Sequence, residues 1–122
     1  MVTGMTSQFG NFERSSFQFH LTGSRAFGNA TQQSDWDFFC KNSQEAQEFL
    51  YMLNFRHDDA SSYETTSLVV KKGDIHVQLV DDFDKKLSAQ NHILGSSFLH
   101  QLHNKLSKKD RKLLWLYVLS LY

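Results

Sequence analysis

At 122 residues the chain is long enough for one hydrophobic core and too short for separate cofactor and catalytic domains, so a single domain, 1–122, is expected. Its 13 basic and 13 acidic side chains cancel, and a net charge of zero gives no sign of nonspecific nucleic-acid binding. Hydrophobic residues make up 40% and charged residues 21%, an ordinary globular composition whose short apolar runs exclude a membrane-spanning helix.

The stretch 1–14 lacks the basic-then-apolar order of a secretory leader. The lone cysteine, Cys40, excludes an internal disulfide and a multi-cysteine zinc site, so a reduced, cytoplasmic protein is expected. A short helix is expected over 6–14. Phe17-Gln18-Phe19-His20-Leu21 then alternates apolar and polar side chains, the pattern of a strand with one buried face. Gly23 and Ser24 break it, and 25–34, with Gly28, Asn29 and Thr31, reads as a turn of helix followed by a loop. Asp35-Trp36-Asp37-Phe38-Phe39-Cys40 reads as a second strand. Asp35 and Asp37 share one face of it; Trp36, Phe38 and Cys40 take the other.

Asn42 is the expected N-cap of a helix over 43–55, with Glu45 in the capping-box position. Ala46, Phe49, Leu50 and Leu53 recur at helical spacing along it. A polar loop over 56–64 leads to a hairpin. Its arms are Ser67-Leu68-Val69-Val70 and Ile75-His76-Val77-Gln78-Leu79-Val80, and Lys71-Lys72-Gly73-Asp74 turns between them. Three helices finish the chain, over 82–92, from Gly95 or Ser96 to 106, and from a cap at Ser107 onward. The fold class is therefore α+β: a small mixed sheet of about four strands with flanking helices, the sheet within 17–80 and a helical part over 82–122.

Two carboxylates at i and i+2 on one strand lie a few ångströms apart and repel unless something positive sits between them. Hard oxygen ligands of this kind suit magnesium or manganese, and a carboxylate pair is able to bridge two such ions. Gly23 lets backbone approach a phosphate closely, Ser24 adds a hydroxyl donor and Arg25 adds positive charge.

Gly23-Ser24-Arg25-Ala26-Phe27-Gly28, followed by Ser34-Asp35-Trp36-Asp37-Phe38-Phe39 with ten residues between Ser24 and Asp35, resembles the signature of the DNA polymerase β-like nucleotidyltransferase superfamily. The resemblance spans 17–80, and the chain is similar in size to the minimal, single-domain members. It implies a short mixed sheet with flanking helices. It implies transfer of a nucleoside monophosphate from a nucleoside triphosphate to a hydroxyl of a protein, RNA or small molecule, with release of pyrophosphate. Gly23, Ser24 and Arg25 would bind the nucleotide, Ser24 at the β,γ-phosphates. Asp35 and Asp37 would hold two Mg2+ or Mn2+ ions. The family's third metal-binding acid stands on a later strand between apolar residues. The hydrophobic pattern puts His76 in that place, and a two-residue shift puts Asp74 there; both project to one face. With His76, the alternative is a catalytically degenerate module that binds a nucleotide or a partner protein.

His100 and His103 share a helix face but lack a third metal ligand, so solvent-facing histidines are expected. Lys105, Lys108, Lys109, Arg111 and Lys112 read as a solvated basic face, with contact to RNA or DNA phosphates as the alternative. The last helix, with Leu113, Leu114, Trp115, Leu116, Tyr117, Val118, Leu119 and Leu121, is apolar nearly all round. Such a helix is either deeply buried or turned to a partner, a second copy or another protein.

Overall fold

A computed structural model of the protein describes residues 18–58 and 68–122. The helix expected over 6–14, the strand residues Phe17 and Ser67, and the end of the polar loop lie outside the described residues. Along the described residues run β1 (His20–Thr22), α1 (Gly23–Phe27), β2 (Trp36–Lys41), α2 (Gln44–Met52) and β3 (Arg56–His57). They are followed by β4 (Leu68–Lys72), β5 (Ile75–Val80), α3 (Phe83–Gly95), α4 (Ser97–Lys105) and α5 (Lys108–Leu119).

The strands form one mixed sheet in the order β1-β2-β5-β4-β3. β2 and β5 pair in parallel; the other neighbours are antiparallel. The fold is thus α+β, with one strand more than expected. That strand, β3, has only Arg56 and His57, both exposed, at the sheet edge. Two exposed polar residues leave no alternation to read, so their pairing with Lys71 and Val70 could not be foreseen.

Strand alternation divides the sheet into two faces. One face carries Phe38, Cys40, Val70, Val77 and Leu79 and packs with Ala46, Phe49 and Leu50 of α2. Full burial of such side chains stabilises the fold by about 1.5–3 kcal/mol each. Cys40 is only 1% exposed, and burial pushes its thiol up to about 12, so it behaves as a small apolar residue.

The ends of α2 differ from expectation. Ser43, not Asn42, is the N-cap, and its hydroxyl accepts from the Ala46 amide at 3.1 Å. Asn42 instead accepts from the Gln47 amide side chain at 2.8 Å. The helix stops at Met52 because Asn54 takes a left-handed conformation, φ +71°, which swings Phe55 back into the core. Leu53 and Phe55 therefore follow the helix, although their spacing continues its apolar stripe.

The opposite face of the sheet is covered by the C-terminal helices. Ala89 and Ile93 of α3, Val118 of α5 and Phe27 of α1 form a second core. Gln90 of α3 ties this layer to β1: its Nε2 donates to the Leu21 carbonyl at 2.9 Å and its Oε1 accepts from Thr22 Oγ1 at 2.6 Å. Ser96 and Ser107 cap α4 and α5, accepting from the amides of Leu99 and Asp110. The expected all-round apolarity of α5 resolves into an inner face at Leu114, Trp115, Val118 and Leu119 and an exposed face at Leu113, Leu116 and Tyr117. Among the described residues no helix is long and apolar enough to cross a membrane.

Candidate active site

Parallel pairing of β2 with β5 sets Asp37 directly beside His76. Both point away from the α2 core, as alternation requires. His76 Nδ1 lies 3.3 Å from Asp37 Oδ1 and 3.6 Å from Asp35 Oδ2. Asp35 stands one residue before β2 rather than inside it, yet its carboxylate reaches the same imidazole nitrogen. The two carboxylates therefore approach the same imidazole nitrogen.

The glycine–serine bend closes on this pair. Gly23 has φ +70°, a conformation that side chains with a Cβ resist. A Cβ at this position would lie 2.5 Å from Asp37 Oδ2. Glycine is thus required twice over, by its own backbone and by the carboxylate against it. Ser24 follows in α1, and its hydroxyl has no hydrogen-bond partner among the described residues.

α1 is held from behind by α4. The Phe27 carbonyl lies 2.6 Å from His100 Nε2 and accepts from Asn104 Nδ2 at 2.7 Å. The Phe27 ring stacks on His103 at 4.1 Å between centroids. The two histidines expected at the surface therefore anchor the bend. Burial lowers the His103 pKa from its ordinary value, with opposing help from Asn104.

Arg25 has another task than the one the sequence suggested. Its guanidinium lies 4.0 Å from the Trp36 ring centroid, and Nη2 and Nε donate to the Ser34 carbonyl at 2.8 and 3.2 Å. It staples the loop between the bend and the acids, and it does not line the cleft in which they open. Asp74 also stays out of that cleft. It is exposed in the β4–β5 turn, where its backbone carbonyl accepts from the Trp36 amide at 2.8 Å. Of the two candidates for the third position, the sheet brings His76 to the acid pair.

The cleft measures about 730 Å³. Gly23, Ser24, Asp35, Asp37 and His76 line it, together with Lys86 of α3 and Lys108, Arg111 and Lys112 of α5. Two of its residues escaped sequence reasoning. Asp58, just after β3, has Oδ2 4.0 Å from His76 Nε2 and Oδ1 3.9 Å from Lys71 Nζ. Nothing in a polar loop singles it out. Lys86 did leave a signal: it shares the inward stripe of α3 with Ala89, Gln90 and Ile93, a lysine where the spacing calls for an apolar residue.

Burial sets the electrostatics here. It raises the Asp37 carboxyl above the usual carboxylate range; His76 pulls the other way by charge and hydrogen bond, and Asp35 adds a further push upward. Lys86 is 8% exposed, and burial pulls its ammonium from 10.5 down to about 8. Above pH 8 the folded chain then holds fewer protons than the unfolded one, so stability rises with pH from about 8 to 10.5. In urea titrations the difference in midpoint between wild type and Lys86→Met is expected to shrink across that window. A constant difference would contradict the buried charge.

Among the described residues no group of three or more His, Cys, Asp or Glu side chains is already arranged to hold a metal ion. The Asp35–Asp37 pair by itself does fit one hard divalent cation. One oxygen of each carboxylate lies within 3.6 Å of the same nitrogen, both are hard donors, and Asp35 is half exposed, so the pair opens to solvent. Comparison of the chain with protein-family models, curated proteins and solved structures finds no match.

Proposed function

We propose that the chain binds a nucleoside triphosphate in this cleft and transfers its nucleoside monophosphate to a hydroxyl of a protein, RNA or small-molecule acceptor, releasing pyrophosphate. The observation that carries this reading is the contact between Gly23 and the Asp37 carboxylate, which joins the glycine–serine bend and the acid pair into one site. The resemblance of these same residues to the polymerase β-like signature supports it.

Asp35 and Asp37 would hold Mg2+ or Mn2+, which neutralises phosphoryl charge and orients the reacting oxygens. The residues themselves do the rest. Gly23 leaves the backbone open to an approaching phosphate, and the Ser24 hydroxyl is available to donate to it. Asn104 and the α4 histidines keep the bend from drifting. His76, beside both carboxylates, would position Asp37 and Asp35 and stand in for the third carboxylate on the acceptor side. Fixed placement of charges, rather than covalent chemistry, would supply the rate.

The imidazole at that place also favours a second reading, a module that binds nucleotide without transferring it. Incubation with labelled nucleoside triphosphates, Mg2+ or Mn2+ and acceptors, the chain itself included, separates the two. Label transfer that falls at least 100-fold in Asp35→Asn/Asp37→Asn supports the enzyme. Metal-dependent nucleotide binding with background pyrophosphate release supports the module. Neither binding nor transfer contradicts both.

A further inference from the structure

Basic as well as acidic side chains line the cleft, and the most buried of the basic ones, Lys86, is unpaired among the described residues. Lys86 is 8% exposed and lines the cleft, yet its ammonium has no hydrogen bond or ion pair among the described residues. The carboxylates in the same cleft are engaged elsewhere: Asp35 and Asp37 with His76, Asp58 with His76 and Lys71. One turn further along α3, Gln90 satisfies both ends of its amide on β1. Lys86 alone on this stripe carries a polar group with no internal use.

An isolated ammonium is costly to bury, and a methionine would fill the same space without that penalty. A lysine kept there makes physical sense if an anion enters the cleft and pairs with it. α5 adds further positive charge to the lining of the same cleft. Arg111 and Lys108 line the same cleft, and Arg111 uses one donor, Nη1, on the Leu106 carbonyl at 2.8 Å, leaving the rest of its fork free for a bidentate partner. Several cations lining the same cleft as a pair of carboxylates match a ligand with several phosphoryl groups.

We propose that Lys86, together with Arg111 and Lys108, binds the phosphoryl groups of a polyphosphate inside the cleft. The inference deepens the nucleotide reading, on which it rests for the identity of the ligand as the triphosphate tail. Burial pulls this ammonium down to about 8, and a paired anion would favour its charged form. A free inorganic polyphosphate presents the same chemistry, so the test separates the two sources.

The experiment is calorimetric titration of the whole chain at pH 7 with inorganic tripolyphosphate, without metal, and separately with a non-hydrolysable nucleoside triphosphate and Mg2+. Wild type, Lys86→Met, Lys86→Arg and Lys109→Met are compared; Lys109 is exposed and does not line the cleft. Tripolyphosphate affinity is expected to fall at least tenfold in Lys86→Met, to be largely restored in Lys86→Arg and to stay unchanged in Lys109→Met. A melting temperature of Lys86→Met at or above that of wild type shows that the loss is not unfolding. Affinity in Lys86→Met equal to that in Lys109→Met overturns the proposal, as does a wild type that ignores tripolyphosphate. If the nucleotide still binds through Asp35 and Asp37 in that case, the nucleotide reading survives alone. Tripolyphosphate binding that needs Lys86, without nucleotide binding, supports the subsite and assigns it to free polyphosphate.

Discussion

Gly23→Ala is expected to reduce nucleotide transfer by at least 100-fold in a chain that still folds. Alanine at φ +70° costs about 1–2 kcal/mol in backbone strain. Its Cβ would also stand 2.5 Å from Asp37 Oδ2 and 3.1 Å from Asp37 Cβ. That clash is relieved by opening the bend or by turning or pushing the Asp37 carboxylate from its place beside His76. Either shift separates the phosphate side of the site from its carboxylates, and displacements of about 1 Å at a reacting centre cost on the order of 100-fold in rate. Gly73→Ala is the matched control. Gly73 has φ +59° with nothing within 4 Å of the added Cβ, so it pays the strain without the clash. Both variants should melt some degrees below wild type in circular dichroism, and only Gly23→Ala should lose transfer of labelled nucleotide. Equal rates in the two variants would mean that the bend and Asp37 do not act together.

His76→Asp is expected to make the stability of the protein depend on divalent metal. His76 lies within 3.6 Å of both Asp35 and Asp37, and it separates them from Asp58. Replacing the imidazole with a carboxylate removes their shared partner and adds a like charge in register with Asp37 on the parallel strand pair. Without metal the variant should therefore melt below wild type. With three carboxylates in place of two, Mg2+ or Mn2+ binds the folded state more tightly, and an ion at 100 times its Kd stabilises by about 2.7 kcal/mol. For a domain of this size that is a rise of roughly 10 °C, against a much smaller rise in wild type. Transfer should rise with it. Melting curves of the two proteins with EDTA and with Mn2+ decide the matter; identical metal responses would show that position 76 does not face a cation site.

The chemistry-bearing part of the sequence was legible where local spacing carries it. Alternation placed Asp37 and His76 on the face opposite Phe38 and Val77, and the structure agrees. What the sequence could not supply was pairing between distant strands. Only the parallel register of β2 on β5 sets His76 rather than Asp74 beside Asp37, and no pattern within either strand encodes it. The contacts of Arg25 were hidden from the sequence for a related reason. A guanidinium beside a glycine–serine bend looks like a phosphate ligand until the loop returns Ser34 and Trp36 to meet it. His100 and His103 looked exposed because their partner, Phe27, is more than seventy residues away in the chain. Lys86 was in plain view in the α3 stripe, a departure from periodicity that marks a buried charge.

Binding of Mn2+ in the presence of a non-hydrolysable nucleoside triphosphate, measured by calorimetry on wild type and on Asp35→Asn/Asp37→Asn, bears most directly on the carboxylate pair as the seat of the nucleotide. Wild type should bind metal and nucleotide cooperatively, each tightening the other, and the double variant should lose that coupling while remaining folded. Equal coupling in both proteins, or none in wild type, would contradict it.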